Sequence, residues 1–242
     1  GNRNLLTKSY ARVFEICGQR LNGVNISAQN AIPMSSGLGS SAAAIVAGLF
    51  GANEMLGKPL SGNDLLQIAT EAEGHPDNVA PALQGGLVIS VMKKAEIITR
   101  RYEIPALTVV IVKPDVEWLT KTARAVLPKS ISRADAVHNI GRTALVVDAL
   151  RTGDLDLLQH VMEDRIHQPY RLRHIAGGMA AYKCARQFGA AALSGAGPSI
   201  ITFTIPEKAE EARARIRMVY EERGIGTKSF IIKPSSLGNH CI

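Results

Sequence analysis

The sequence has 242 residues, room for one large domain or two small ones, and its 46% hydrophobic and 20% charged residues are ordinary for a soluble globular protein. Its formal charge of +7 suits an anionic ligand, but the basic residues are scattered and aromatics reach only 5%, so nucleic acid is not an expected partner. Cys17, Cys184 and Cys241 have no metal-binding spacing and fit a reducing cytoplasm; no apolar run reaches membrane-spanning length and no signal peptide is legible, so a membrane is not expected either.

Leu5, Leu6, Ala11, Val13, Phe14 and Cys17 form an apolar stripe that predicts a helix over 4–21. Asn22-Gly23 is a turn signal, and alternation from Val24 to Asn30 predicts a strand. Pro33-Met34-Ser35-Ser36-Gly37-Leu38-Gly39-Ser40-Ser41-Ala42-Ala43-Ala44 then runs a small-residue loop into a helix of about 41–56. Gly37 and Gly39 allow positive φ, and Ser40 or Ser41 can cap the helix. The remaining first-turn N–H groups and the helix dipole would attract an anion, a polyphosphate being the natural candidate; an ordinary Gly/Ser helix cap is the alternative. Gly37-x-Gly39-x-x-Ala42 fits a dinucleotide fingerprint only formally, because Pro33-Met34-Ser35-Ser36 separates it from any strand and Lys58 stands where the ribose-binding acid belongs. Gly57-Lys58-Pro59 is not a Walker A motif, which needs Ser or Thr after the Lys.

A helix from about 61 to 73 ends in Glu71-Ala72-Glu73-Gly74-His75-Pro76-Asp77-Asn78. Carboxylates near a helix C-terminus are mildly unfavourable, and a hard cation such as Mg²⁺ would relieve that; a solvated acidic turn is the plainer reading. A short helix, a Gly85-Gly86 break and strands near 87–92, 96–102 and 107–113 follow. In the second half, helices are predicted at 118–127, 133–152, 154–164 and 175–188, strands at 190–193 and 200–204, a charged helix at 206–223 and a last strand at 227–233. This is an α+β pattern, with a boundary near 114–130. Leu193-Ser194-Gly195-Ala196-Gly197-Pro198-Ser199 is either a backbone nest for phosphate or substrate or a tight hairpin. Arg124, and Arg171 in Tyr170-Arg171-Leu172-Arg173, could clamp a carboxylate or lie on the surface.

Taken in order, residues 33–43, 73–82 and 193–199 resemble the motifs of the GHMP small-molecule kinases, and specifically of homoserine kinases, over about residues 5–233. The resemblance implies an α+β two-layer fold, with a truncated ribosomal-S5-like N-terminal ATP-binding part over 1–115 and a ferredoxin-like C-terminal part over 116–242. It implies transfer of phosphate from ATP to the hydroxyl of L-homoserine, in threonine biosynthesis, by a cytoplasmic enzyme that uses Mg²⁺ and for which a homodimer is left open. The alternatives are another kinase of the superfamily, of the mevalonate type, and a truncated, catalytically silent nucleotide-binding relative. Pro33, Met34, Ser35, Ser36, Gly37, Leu38, Gly39, Ser40, Ser41, Ala42 and Ala43 would wrap the ATP phosphates, with Ser41 and Glu71 holding Mg²⁺ and Glu73 the competing ligand. His75, Asp77, Arg124, Arg171 and Gly195 would meet homoserine. Asn78 stands where many relatives in the superfamily carry an aspartate base, so catalysis would rest on positioning and charge neutralisation. Such kinases begin with roughly 55–60 further residues, whose strands would cover sheet edges otherwise left bare. His174-Ile175-Ala176-Gly177-Gly178 replaces the family's usual Pro-Gly, and residues 235–242 have no family match and are expected to fray.

Overall fold

The computed structural model describes residues 4–94 and 96–240. They form two compact units: the first holds residues up to Met34, 39–103 and the tail from Ser235, and the second holds 35–38 and 104–234. The sequence reading places its boundary at 115/116 instead. Among the described residues no helix is long and apolar enough to cross a membrane.

The first unit contains α1 (Leu5–Ile16), α2 (Ser40–Met55), α3 (Gly62–Glu73), α4 (Pro76–Gln84), β1 (Leu87–Lys93) and β2 (Glu96–Tyr102). Its core joins Val13 and Phe14 of α1, Ile45 and Leu49 of α2, Leu65 and Leu66 of α3 and Val79 of α4. Gly48 lets α1 and α2 approach closely, since a Cβ there would strike the Leu6 carbonyl. The Ser61 hydroxyl accepts from the Asp64 N–H while the Asp64 carboxylate accepts from the Ser61 N–H, so α3 starts on a capping box. β1 and β2 pair antiparallel from Leu87 opposite Tyr102 to Lys93 opposite Glu96.

Three expectations for this unit need correction. The first helix stops at Ile16 because Gly18 turns left-handed, with φ 62°. Residues 24–30 form no strand; alternation alone gives none without a neighbour to pair with. The tail does not fray over its described residues: the Gly86 N–H donates to the Ser235 carbonyl (2.9 Å), Arg101 Nη2 to the Ser236 carbonyl (2.7 Å) and the Asn239 N–H to the Leu83 carbonyl (3.3 Å). The backbones are so close there that a Cβ on Gly85 would collide with Leu237 and Gly238.

The second unit is built on a four-stranded antiparallel sheet ordered β4 (Ala190–Leu193), β5 (Ile200–Thr204), β3 (Thr108–Pro114), β6 (Thr227–Ile232). β3 is central and buried along nearly its whole length, as its continuous Val/Ile run requires. Val110 and Val112 point to one core, with Ala181 and Ala185 of α9 (Gly178–Ala185) and Ala212, Ile216 and Tyr220 of α10 (Pro206–Glu221). Val109 and Ile111 point the other way, to Leu150 of α6 (Arg133–Thr152) and Leu155 of α7 (Leu155–Val161). Two shorter helices, α5 (Thr120–Ala125) and α8 (Gln168–His174), complete the unit. The helix expected over 175–188 is α9 alone, preceded by a separate α8, because left-handed Gly177 (φ 74°) breaks the chain between them. Cys17 and Cys184 are free; Cys241 lies outside the described residues.

Candidate active site

In the first unit the candidate chemistry gathers where α2, α3 and α4 begin or end. The N-cap of α2 is Gly39, left-handed at φ 77°, and no side chain caps the helix. That corrects the expected cap: Ser40 and Ser41 lie inside the first turn, with Ser40 Oγ accepting from Asn30 Nδ2 at 3.1 Å and Ser41 Oγ donating to Glu73 Oε2 at 2.7 Å. With the cap supplied by a glycine, the first-turn N–H groups and the positive helix end stay open to an anion.

Ser41 thus meets Glu73, not the expected Glu71. Helix geometry decides this: Glu73 follows the buried Leu66, Ala69 and Thr70 by seven, four and three residues, so it continues the face of α3 that carries them. Glu71 is exposed and accepts from Gln67 Nε2 at 3.0 Å, one turn back on its own helix. A serine hydroxyl and a carboxylate side by side are hard oxygen donors of the kind Mg²⁺ takes, its other positions going to phosphate and water.

His75 caps α4 with backbone geometry alone, and its Nδ1 lies 2.5 Å from Asp77 Oδ1 at an angle that makes no hydrogen bond. Pro76 fills the first turn, where a missing N–H costs nothing. Asp77 and Asn78 are exposed on that turn, and a Cβ on Gly39 would stand 3.9 Å from Asn78 Oδ1, which puts Asn78 beside the start of α2.

In the second unit, Ser36 to Leu38 dock on the loop from Ser194 to Ser199. The Ser199 hydroxyl donates to the Ser36 carbonyl (2.7 Å) and the Ser194 hydroxyl to the Gly37 carbonyl (2.9 Å). Gly37 is required twice, for its φ of 75° and because a Cβ would collide with the carbonyls of Ser194 and Gly197. Ser35, at φ 50°, is itself left-handed. Left-handed residues at 35, 37 and 39 turn the segment tightly, and the Leu38 N–H within it donates to Ser36 Oγ (3.2 Å). Pro33 and Met34, at the entrance of the segment, and Ala42 and Ala43, in the helix behind it, contribute backbone and small side chains; Met34 is largely exposed.

Arg171 lies on α8 and reaches three acceptors: the Ala123 carbonyl through Nε (3.1 Å), and the Gly195 carbonyl (3.1 Å) and His167 Nδ1 (3.2 Å) through Nη1. Arg124 follows Ala123 directly, and its positive charge, after burial, helps lower the pKa of Arg171. Two guanidinium groups are thus placed near one another, and Arg171 forms no ion pair with a carboxylate among the described residues, which suits an incoming carboxylate.

Sequence reading missed the residues that fix this arrangement. Trp118 Nε1 donates to the Ala196 carbonyl (2.7 Å), and the Leu193 N–H donates to buried Gln168 Oε1 (2.6 Å). Asp164 Oδ2 accepts the N–H groups of His167 (2.7 Å) and Gln168 (2.6 Å), closing the start of α8. Burial raises the Asp164 pKa, but the hydrogen bonds from Gln168, Asn139 and His167 outweigh it and leave the carboxyl below its ordinary value. Pro169 in the first turn was the available sign of a helix start.

Profiles of the GHMP kinases match the chain in both parts: the N-terminal domain over residues 4–86 and the C-terminal domain over 146–222. Homoserine kinase of Moorella thermoacetica is 44% identical over 206 residues, covering 84% of this chain and 70% of that protein. Homoserine kinase of Desulfitobacterium hafniense is 40% identical over 238 residues, covering 97% and 80%. The crystal structure of homoserine kinase from Cytophaga hutchinsonii superposes with a TM-score of 0.88 at 34% identity, covering 98% of this chain and 78% of that one. At this identity and coverage the chain belongs to the GHMP kinase family, among its homoserine kinases.

Proposed function

We propose that the chain phosphorylates the side-chain hydroxyl of L-homoserine with ATP, giving O-phospho-L-homoserine for threonine synthesis in the cytoplasm. The observation that carries this reading is the uncapped start of α2, with Ser41 bonded to Glu73 beside it. ATP brings a polyphosphate, which backbone N–H groups at a helix start can hold. Mg²⁺, when bound, would neutralise phosphate charge; Ser41 and Glu73 are the residues to hold it, and Glu71 is the less favoured ligand.

The other groups follow from the chemistry of homoserine, which carries a carboxylate, an ammonium and a hydroxyl. Arg124 and Arg171 would take the carboxylate, with the Gly195 carbonyl orienting Arg171. Asp77 would take the ammonium and His75 would line the same turn. Asn78 has no basicity with which to abstract a proton and would instead orient the hydroxyl by hydrogen bonding. A loose transition state needs little push on the attacking oxygen, so orientation and charge neutralisation can suffice.

An ADP-release assay with L-homoserine, with mevalonate and with no acceptor tests the proposal. ADP release that depends on homoserine is the expected result. Turnover confined to mevalonate, or ATP binding without turnover of either acceptor, would overturn it.

A further inference from the structure

The three acceptors around Arg171 share a property: Ala123 O, Gly195 O and His167 Nδ1 are all neutral. An arginine has no lone pair and can only donate, so Nδ1 must carry the lone pair and the ring must be neutral, with its proton on Nε2. Nε2 lies 3.7 Å from Asp164 Oδ1, too far for a direct hydrogen bond but close enough for the carboxylate to favour that tautomer. Asp164 is itself fixed by Asn139 Nδ2 (2.7 Å) and by the two backbone N–H groups that start α8.

We propose that His167, oriented by Asp164, is a positioning residue that fixes the Arg171 guanidinium without neutralising it. This deepens the reading of Arg171 as the ligand of the homoserine carboxylate and rests on it. A flexible arginine side chain carries about 2 kcal/mol of rotamer entropy, and acceptors that hold it beforehand reduce what substrate binding must order. A carboxylate in direct contact would hold it as well, but would compete with the substrate for the same hydrogens and cancel the charge. A neutral imidazole holds one Nη1 hydrogen and leaves Nη2, which makes no hydrogen bond among the described residues, free for the substrate. Burial lowers the His167 pKa, Asp164 opposes this and Arg171 adds to it, so the ring is kept in the accepting form.

The test is a substitution series at His167 read by steady-state kinetics. His167→Ala removes the acceptor, and a hydrogen bond to a charged group is worth about tenfold or more. The homoserine KM should therefore rise about tenfold, with kcat and the ATP KM within about threefold of wild type. Asparagine places its Oδ1 near the position of Nδ1, so His167→Asn should recover most of the lost affinity. His167→Asp also supplies an acceptor there, but a charged one, and should bind homoserine more weakly than the Asn variant. An unchanged homoserine KM in His167→Ala, or an Asn variant no better than Ala, would overturn the inference while leaving the kinase reading intact. A parallel fall in kcat, ATP affinity and urea midpoint would also overturn it, marking His167 as merely structural. Absence of homoserine turnover by the wild-type chain would remove the kinase reading and the inference together.

Discussion

The Ser199 hydroxyl donates to the backbone carbonyl of Ser36 at 2.7 Å, with Ser199 fully buried and Ser36 nearly so. A carbonyl held from below fixes the peptide plane that follows it, and with it the path of Gly37. Ser199→Ala removes the hydroxyl donor from this buried carbonyl, which keeps the longer bond from the Ser199 N–H, at 3.4 Å. The expected loss is about 1–3 kcal/mol. Urea unfolding should show it in stability, and the KM for ATP should rise more than the KM for homoserine. Equal rises in both would mean that the bond supports the fold and not the loop.

The two glutamates at the end of α3 can be told apart by experiment. Loss of even an outer partner of a metal ligand costs roughly tenfold or more in metal affinity, so Glu73→Gln should raise the Mg²⁺ concentration for half-maximal rate by at least that factor. Glu71→Gln, which disturbs only a bond to Gln67 on the exposed face, should shift it by less than about twofold. The reverse order would return the ligand role to Glu71.

Asn78→Asp asks whether the site lacks a base because it does not need one. General bases contribute about 10²–10⁴-fold, so a gain in kcat near a hundredfold would refute catalysis by positioning. The expected change is below about threefold in either direction, since the barrier is lowered mainly by orientation and charge neutralisation.

Asp164 makes a prediction about pH. Its folded pKa lies below its ordinary value, so its contribution to stability is fully present above the unfolded carboxylate pKa, about 4, and is lost as pH falls through the folded value. Asp164→Asn should therefore be less stable than wild type at pH 7, and urea midpoints of the two should converge as pH drops below about 4. A gap that stays constant with pH would show that the charge of Asp164 contributes nothing.

Strong periodicity and strong punctuation were legible in the sequence. The helix at 133–152 and the strands at 190–193 and 200–204 appear where the pattern placed them, because Ser132 and Gly153 bound the first and a Gly-rich turn separates the others. The anion-loop segment was legible as a motif, but its cap was not: a serine at a helix start reads as a cap unless its hydroxyl is drawn away, here by Asn30 and Glu73. The pairing of Ser41 with Glu73 depends on how α3 is rotated about its axis, and adjacent motif letters do not show that. His167 and Asp164 were passed over because their partners, Arg171, Asn139 and Gln168, acquire meaning only once α8 is seen to start at Gln168. The tail had no periodicity to read, since backbone carbonyls of Ser235 and Ser236 hold it and not an apolar face.

The return of residues 235–240 to Leu83, Gly86 and Arg101 has a consequence for biosynthesis. A ribosome releases residues 104–234 before it delivers the strap that finishes the first unit. Until then the Gly86 N–H and Arg101 Nη2 lack the strap's carbonyls, although Arg101 Nε already reaches those of Gln84 and Gly85, so the first unit is completed only after residues 104–234 have been translated. A chain divided between Glu103 and Ile104 would leave the first unit without this strap.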